Sequence, residues 1–160
     1  MQRIVLLPGS FDPPTLGHVE LVDRALRLFD GVVVAVGQNS SKQARFALDR
    51  RLAWLEATFA YAGGRVSIVP YATLTVQFAR EQGAVALLRG LRNALDLEYE
   101  RSIDHLNKHL EPEIETCYLI SSPRTAHISS TLVWEIIRYG GTLEGLLPPP
   151  VMADLQAQGS

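Results

Sequence analysis

The passage from Ile4 to His18 constrains this chain most: a short apolar run gives way to a loop of turn-formers and then to an amphipathic helix. Ile4 to Leu7 read as a buried strand. Pro8, Gly9, Pro13 and Pro14 then forbid regular structure, and Gly17 opens a segment in which Leu21, Val22, Ala25, Leu26 and Phe29 recur at helical spacing. His18 therefore falls in the first turn of a helix, where backbone N–H groups lack partners and the dipole favours an anion. Strand, tight loop and helix start make a cradle for a phosphate, with His18 placed to donate to a phosphoryl oxygen. Taken singly the parts are ordinary, since a lone histidine at a helix start is more often a cap or a solvated side chain.

The alternation continues along the chain. β-Branched runs near 3–8, 32–37, 66–70, 84–89 and 116–121 alternate with amphipathic segments near 17–29, 48–62, 74–82, 96–110 and 129–139. This pattern predicts an α/β fold, a Rossmann-like, doubly wound five-stranded parallel sheet, in a single domain over 1–160. Pro148-Pro149-Pro150 introduces a C-terminal helical segment at about 148–158. In such sheets ligands bind beyond the carboxyl ends of the strands, which places the chemistry in loops 9–16, 38–47, 71–75, 90–95 and 122–128. The formal charge of −2 argues against a broad grip on nucleic acid. The single cysteine, Cys117, excludes an intramolecular disulfide or a thiolate metal cluster and reads as buried in a strand. Met1-Gln2-Arg3 leads straight into a strand, too briefly for a signal peptide or a membrane span, so a cytoplasmic protein is expected.

Further polar constellations sit at the strand ends. Arg89-Gly90-Leu91-Arg92 sets two guanidinium groups around a glycine that permits a tight turn, within reach of one polyanion. Ser129-Ser130-Thr131 precede a helix, where one hydroxyl caps and the others are free to donate to a phosphate. Lys42 lies in a polar loop after the second strand, a mobile point charge suited to a phosphate. His105 and His109 are four apart and share a helix face, but no third ligand accompanies them, so they read as structural or subunit contacts and no metal site is assigned.

Gly9-Ser10-Phe11-Asp12-Pro13 followed by Thr15-Leu16-Gly17-His18 resembles the signature of the nucleotidyltransferase superfamily, in which a histidine or threonine, any residue and then Gly-His occur in order. Thr15, Arg89-Gly90-Leu91-Arg92, the run Asp96-Leu97-Glu98-Tyr99-Glu100 and Ile128-Ser129-Ser130-Thr131 are similar to its phosphopantetheine adenylyltransferase branch. Ser40 stands where that branch usually has proline, Ser10 where it usually has threonine, and Thr125-Ala126-His127 where it often has an aromatic.

The resemblance implies transfer of an adenylyl group from ATP to 4′-phosphopantetheine, giving dephospho-coenzyme A and pyrophosphate. It implies a catalytic set of His18, Ser10, Lys42 and Arg92. ATP would be bound by Ser10, Phe11, His18, Gly90, Leu91, Arg92, Glu100 and the segment Thr125, Ala126, His127, Ile128, Ser129, Ser130 and Thr131, with Arg124 supplementing it. The acceptor would meet Ser10, Lys42, Leu74, Thr75, Arg89 and Asn107. Mg²⁺ is expected with ATP, held by phosphate oxygens and water. A homohexamer with coenzyme A as feedback ligand is carried over as expectation. A phosphate monoester, mostly dianionic at neutral pH, needs no general base, so catalysis would be positioning and charge stabilisation. The alternatives are another nucleotidyltransferase with a different acceptor, or a non-catalytic adenine-nucleotide sensor on the same fold. A Rossmann dehydrogenase is disfavoured, because no Gly-x-Gly-x-x-Gly follows the first strand.

Overall fold

The computed structural model describes residues 2–38 and 43–158. Strands β1 (Ile4–Gly9), β2 (Gly31–Gly37), β3 (Val66–Tyr71), β4 (Ala84–Leu91) and β5 (Glu115–Ile120) form one parallel sheet in the order β3-β2-β1-β4-β5. Between them run α1 (Leu16–Ala25), α2 (Leu48–Phe59), α3 (Thr75–Glu81) and α4 (Ala94–Leu110), and α5 (Ser130–Tyr139) and α6 (Pro149–Gln158) follow β5. The chain steps outward from β1 through β2 to β3, then crosses back to β4. The switch point of the sheet therefore lies between β1 and β4, where ligands gather in folds of this type.

Strand alternation divides the core. Val5, Leu7, Val32, Val34, Val36 and Leu88 pack with Val22 and Ala25 of α1 and Leu55 and Phe59 of α2. Leu6, Val33, Ala35 and Leu87 turn to the other face, against Val76, Phe78 and Ala79 of α3. Each Val, Leu or Phe side chain among these contributes roughly 1.5–3 kcal/mol when fully buried. Phe46, Trp54, Ile128, Val133, Leu147 and Val151 form a third cluster that joins α2, α5 and α6, and Asp154 accepts from Arg50 Nε (2.7 Å) and Trp54 Nε1 (2.8 Å) beside it.

Several sequence expectations are corrected. The first helix ends at Ala25, not at 29, because Arg27 and Leu28 bond three residues back, and Arg65 donates to the carbonyls of Leu26 (2.6 Å), Phe29 (3.1 Å) and Asp30 (3.1 Å). Pro8 and Gly9 do not leave regular structure. They extend β1 along β2, opposite Ala35 and Val36, while pairing with β4 stops at Leu6 and Leu87. This one-sided pairing opens the crevice at the switch point. Gly90 lies within β4, opposite Leu119, and makes no turn; a Cβ there would come within 3.3 Å of Leu21 Cδ2, so its smallness serves the close approach of α1. Helix α4 starts two residues early, at Ala94, capped by Asn93 on the Asp96 N–H at 3.0 Å. Cys117 is half-buried in β5.

Candidate active site

The loop between β1 and α1 is held from below. Phe11 adopts φ +48°, the left-handed region, and its ring is buried under Gly9, where a Cβ would stand 3.1 Å from Phe11 Cε2. The same ring meets the His18 imidazole at 4.7 Å between centroids. Asp12, also buried, accepts from the N–H groups of Arg45 (2.7 Å) and Phe46 (2.9 Å). Arg51 is buried and donates to the carbonyls of Ser10 (2.6 Å) and Phe46 (3.0 Å). The loop is thereby fixed to the backbone leading into α2, leaving Ser10 exposed at its tip.

His18 occupies the third position of α1 and reaches back to the start of the helix. Its Nδ1 accepts from the Thr15 N–H at 2.9 Å, in the manner of a capping-box side chain. An Nδ1 that accepts must be unprotonated, so the neutral ring carries its proton on Nε2 and has one donor for a ligand. Burial, and secondly the positive charge of Arg92, lower its pKa from 6.5 to about 4. The imidazole is therefore an uncharged donor at neutral pH.

Two cavities meet at this point. The first, of about 400 Å³, is lined by Ser10, Phe11, His18, Gly90, Arg92, Thr125 and the start of α5 at Ile128 to Thr131. There Ser129 accepts from the Leu132 N–H (3.2 Å), and Ser130 Oγ donates to the Pro13 carbonyl (2.7 Å), tying α5 to the first loop. The N-terminus of α5 thus opens toward the helix start of His18, two positive dipole ends on one cavity. The second cavity, of about 340 Å³, lies between α3, α4 and the ends of β4 and β5, lined by Leu74, Thr75, Asp104, Asn107 and Tyr118. Pro8, Gly9 and Arg89 belong to both. Arg89 donates twice to Glu100, at 2.8 and 2.6 Å, and once to the Pro8 carbonyl at 3.1 Å, bridging the gap where β1 and β4 part. Three of its five N–H groups are so engaged, leaving two for a ligand.

Comparison with known proteins places this geometry. Residues 6–136 match the cytidylyltransferase-like family model. The phosphopantetheine adenylyltransferase of Levilactobacillus brevis is 43% identical over 155 residues, covering 97% of this chain and 96% of that one. The chain belongs to the phosphopantetheine adenylyltransferases. Proteins of the same name from Cytophaga hutchinsonii (44% identical; 92% and 98% covered) and Desulforudis audaxviator (46%; 93% and 91%) agree. A provisionally named nicotinate-nucleotide adenylyltransferase from Vibrio parahaemolyticus, 17% identical, superposes with a TM-score of 0.72 over 98% of this chain and 99% of that one, which supports the fold. The expected α/β fold and the nucleotidyltransferase class therefore stand.

Of the residues that the resemblance to phosphopantetheine adenylyltransferases points to, Ser10, Phe11, His18, Gly90, Arg92, Thr125, Ile128, Ser129, Ser130 and Thr131 line the first cavity. Leu74, Thr75, Asn107 and Glu100 line the second, and Arg89 joins the two. Leu91 ends β4 as a buried side chain, and Ala126 and His127 line neither cavity. Arg124 faces a separate groove beside α1. Lys42 lies outside the described residues. Glu100, expected on the ATP side, lines the second cavity and not the first; it is buried and takes the Arg89 guanidinium, so the ordinary reading of it as a solvated acid does not apply either. Sequence reasoning missed Glu20, Arg24 and Arg51. The spacing of Glu20 and Arg24 marks only their i,i+4 pair on α1 (3.2 Å); their contacts with Ser122, Thr125 and Ile120, and that of Arg51 with Ser10, cross to distant parts of the chain that local spacing does not reveal.

Proposed function

We infer that the family's reaction runs in this chain as a single in-line displacement. A phosphate oxygen of 4′-phosphopantetheine attacks the α-phosphorus of ATP. The bond from that phosphorus to the bridging oxygen breaks, and pyrophosphate leaves with its electron pair as dephospho-coenzyme A forms. The observation that carries this reading is the meeting of two cavities at Pro8, Gly9 and Arg89 beside a neutral His18. One cavity suits the nucleotide and the other an elongated acceptor, so both substrates can be held at once.

The residues act by position and charge. His18 Nε2–H and the Arg92 guanidinium donate to oxygens of the α-phosphate as negative charge gathers there. Asp96 accepts from the Arg92 backbone N–H (2.8 Å) and Nε (3.3 Å), orienting that side chain over the cavity mouth. Ser10 orients the nucleophile, and the N-terminus of α5 at Ser129 takes the leaving pyrophosphate. The two free N–H groups of Arg89, with Lys42, hold the acceptor phosphate. Mg²⁺ enters as part of the substrate, MgATP, on phosphate oxygens and water; among the described residues no cluster of three His, Cys, Asp or Glu side chains competes for it.

Assembly into a homohexamer, feedback by coenzyme A and a cytoplasmic location complete the proposal. Leu95, Tyr99, Leu106 and Leu110 on α4 and Ile120 at the end of β5 are exposed, an apolar surface suited to a second copy of the chain. No helix among the described residues is long and apolar enough to cross a membrane. Pyrophosphate release from MgATP, measured with phosphopantetheine and with other phosphate acceptors, tests the reading. Release with phosphopantetheine alone is expected; release only with another acceptor favours a different nucleotidyltransferase, and binding without release a nucleotide sensor.

A further inference from the structure

Helix α1 carries a second polar group toward the nucleotide cavity, two residues beyond His18. The Glu20 carboxylate is saturated: Oε1 accepts from the Ser122 N–H (3.0 Å) and Arg24 (3.2 Å), and Oε2 from the hydroxyls of Ser122 (2.7 Å) and Thr125. We propose that Glu20 is a positioning residue for the reaction, holding the loop between β5 and α5 so that the nucleotide side of the active site is built before ATP arrives.

The loop from 121 to 129 contains no helix or strand, and its internal bonds all return to two residues. Thr125 and Ala126 donate to the Ser122 carbonyl at 3.1 and 2.9 Å, and Ile128 donates to the Thr125 carbonyl at 2.9 Å. Those two residues are the ones Glu20 grips. Fixing Ser122 and Thr125 thus fixes both turns, and through them the place where Ser129 starts α5. Burial alone would raise the Glu20 pKa, but the Thr125 and Ser122 donors and then Arg24 outweigh it and hold the carboxyl at about 2, so the clamp stays charged at any working pH. None of Glu20, Ser122 and Thr125 lines the second cavity. The effect of the clamp should therefore fall on MgATP and spare the acceptor.

This inference rests on the assignment of the first cavity to MgATP. Steady-state kinetics, with MgATP and phosphopantetheine varied separately, should show Glu20→Ala raising KM for MgATP about tenfold or more, the scale of one lost charge-assisted hydrogen bond. KM for phosphopantetheine should stay within about twofold, since no contact with that cavity is lost. Glu20→Gln keeps a carbonyl for the Ser122 N–H and an amide that both hydroxyls can accept, and should restore KM to within about threefold of the wild type. Thr125→Val, which removes the hydroxyl and keeps the side-chain shape, should raise KM for MgATP about threefold, and the double variant should be no worse than Glu20→Ala, because both act through one contact. Calorimetric titration with a non-hydrolysable ATP analogue reads the same site without turnover, so a wild type inactive on phosphopantetheine would sink the functional reading and leave the clamp testable. Unchanged analogue affinity in Glu20→Ala, equal weakening of both substrates, a glutamine variant as weak as the alanine one, or additive losses with Thr125→Val would each overturn the proposal. Should Glu20→Ala not fold, an unaltered analogue affinity in Thr125→Val would do the same.

Discussion

Lowering the pH from 7 to 4 should destabilise the wild-type chain by up to about 3 kcal/mol more than it destabilises His18→Gln. In the native state the His18 ring accepts from Thr15 and lies against Phe11, and burial with the nearby Arg92 charge holds its pKa at about 4, against 6.5 for the free side chain. The sign follows from proton uptake. Below pH 6.5 the unfolded chain takes a proton that the native state refuses, so native stability falls as pH drops through 6.5 and continues to fall until about 4. At 1.36 kcal/mol per pH unit, that gap corresponds to about 3 kcal/mol. It is a ceiling, because the ring is only half-buried against the cavity and part of its charge would meet water. Glutamine suits the comparison, since at the third helical position it also reaches back to the N-cap N–H and does not titrate. Urea unfolding of both proteins at pH 7, 6, 5 and 4 gives the difference directly. Parallel curves for the two would refute the account of a half-buried, neutral His18. The same protonation state leaves its mark on catalysis: turnover of the wild type should show no inflection from this ring near pH 6.5, and His18→Gln should lose roughly 10²–10³ in kcat, the usual cost of one preorganised donor.

Asp12→Ala leaves the N–H groups of Arg45 and Phe46 without their carboxylate acceptor and should destabilise the chain by about 3 kcal/mol in urea unfolding; a loss below about 1 kcal/mol would show that the loop is held by other means. Arg89→Ala and Lys42→Ala should each weaken phosphopantetheine more than ATP in separate titrations, with non-additive losses in the double variant, and equal weakening of both ligands would refute the assignment to the acceptor phosphate. Transfer from ATP made chiral with sulfur at the α-phosphorus should invert configuration, whereas retention, or labelled adenylate trapped on His18 without acceptor, would replace the single displacement by a two-step route.

The fold was legible because its signals are local. Runs such as Gly31–Gly37, short, valine-rich and bounded by glycines, favour a strand buried on both faces over a helix. The errors fell where a distant group decides a boundary. Arg65 stops α1 at Ala25, and no feature of residues 26–29 announces an arginine waiting on their carbonyls. Pro8 looked like the end of a strand. Its missing N–H costs little, because β4 has already diverged and β2 supplies the pairing on the other side. Gly90 was read as a turn when its real constraint is Leu21, a residue on another element.

The same distinction runs through the site. The positions of His18, Arg92 and the helix start at 129–131 were legible because a helix start or a strand end faces a ligand by its own geometry, although the Ser130 hydroxyl, expected to be free for a phosphate, donates instead to the Pro13 carbonyl. Arg51 and Glu20 were not, since each acts on backbone far along the chain: Ser10 lies 41 residues before Arg51, and Ser122 lies 102 residues after Glu20. A buried arginine with two carbonyl partners and a carboxylate with four donors both resemble, in sequence, the solvated face of an amphipathic helix. Their physical role differs from that of the groups that meet substrate. On the reading proposed above, they keep a loop from relaxing, so that His18 Nε2–H, Arg92 and the α5 terminus would not need to reorganise as charge develops on the phosphates, and preorganisation of that kind is what makes donors in a protein cavity more effective than water. A variant that spares every ligand contact and frees one of these loops should therefore lose activity with its substrate-contacting residues intact.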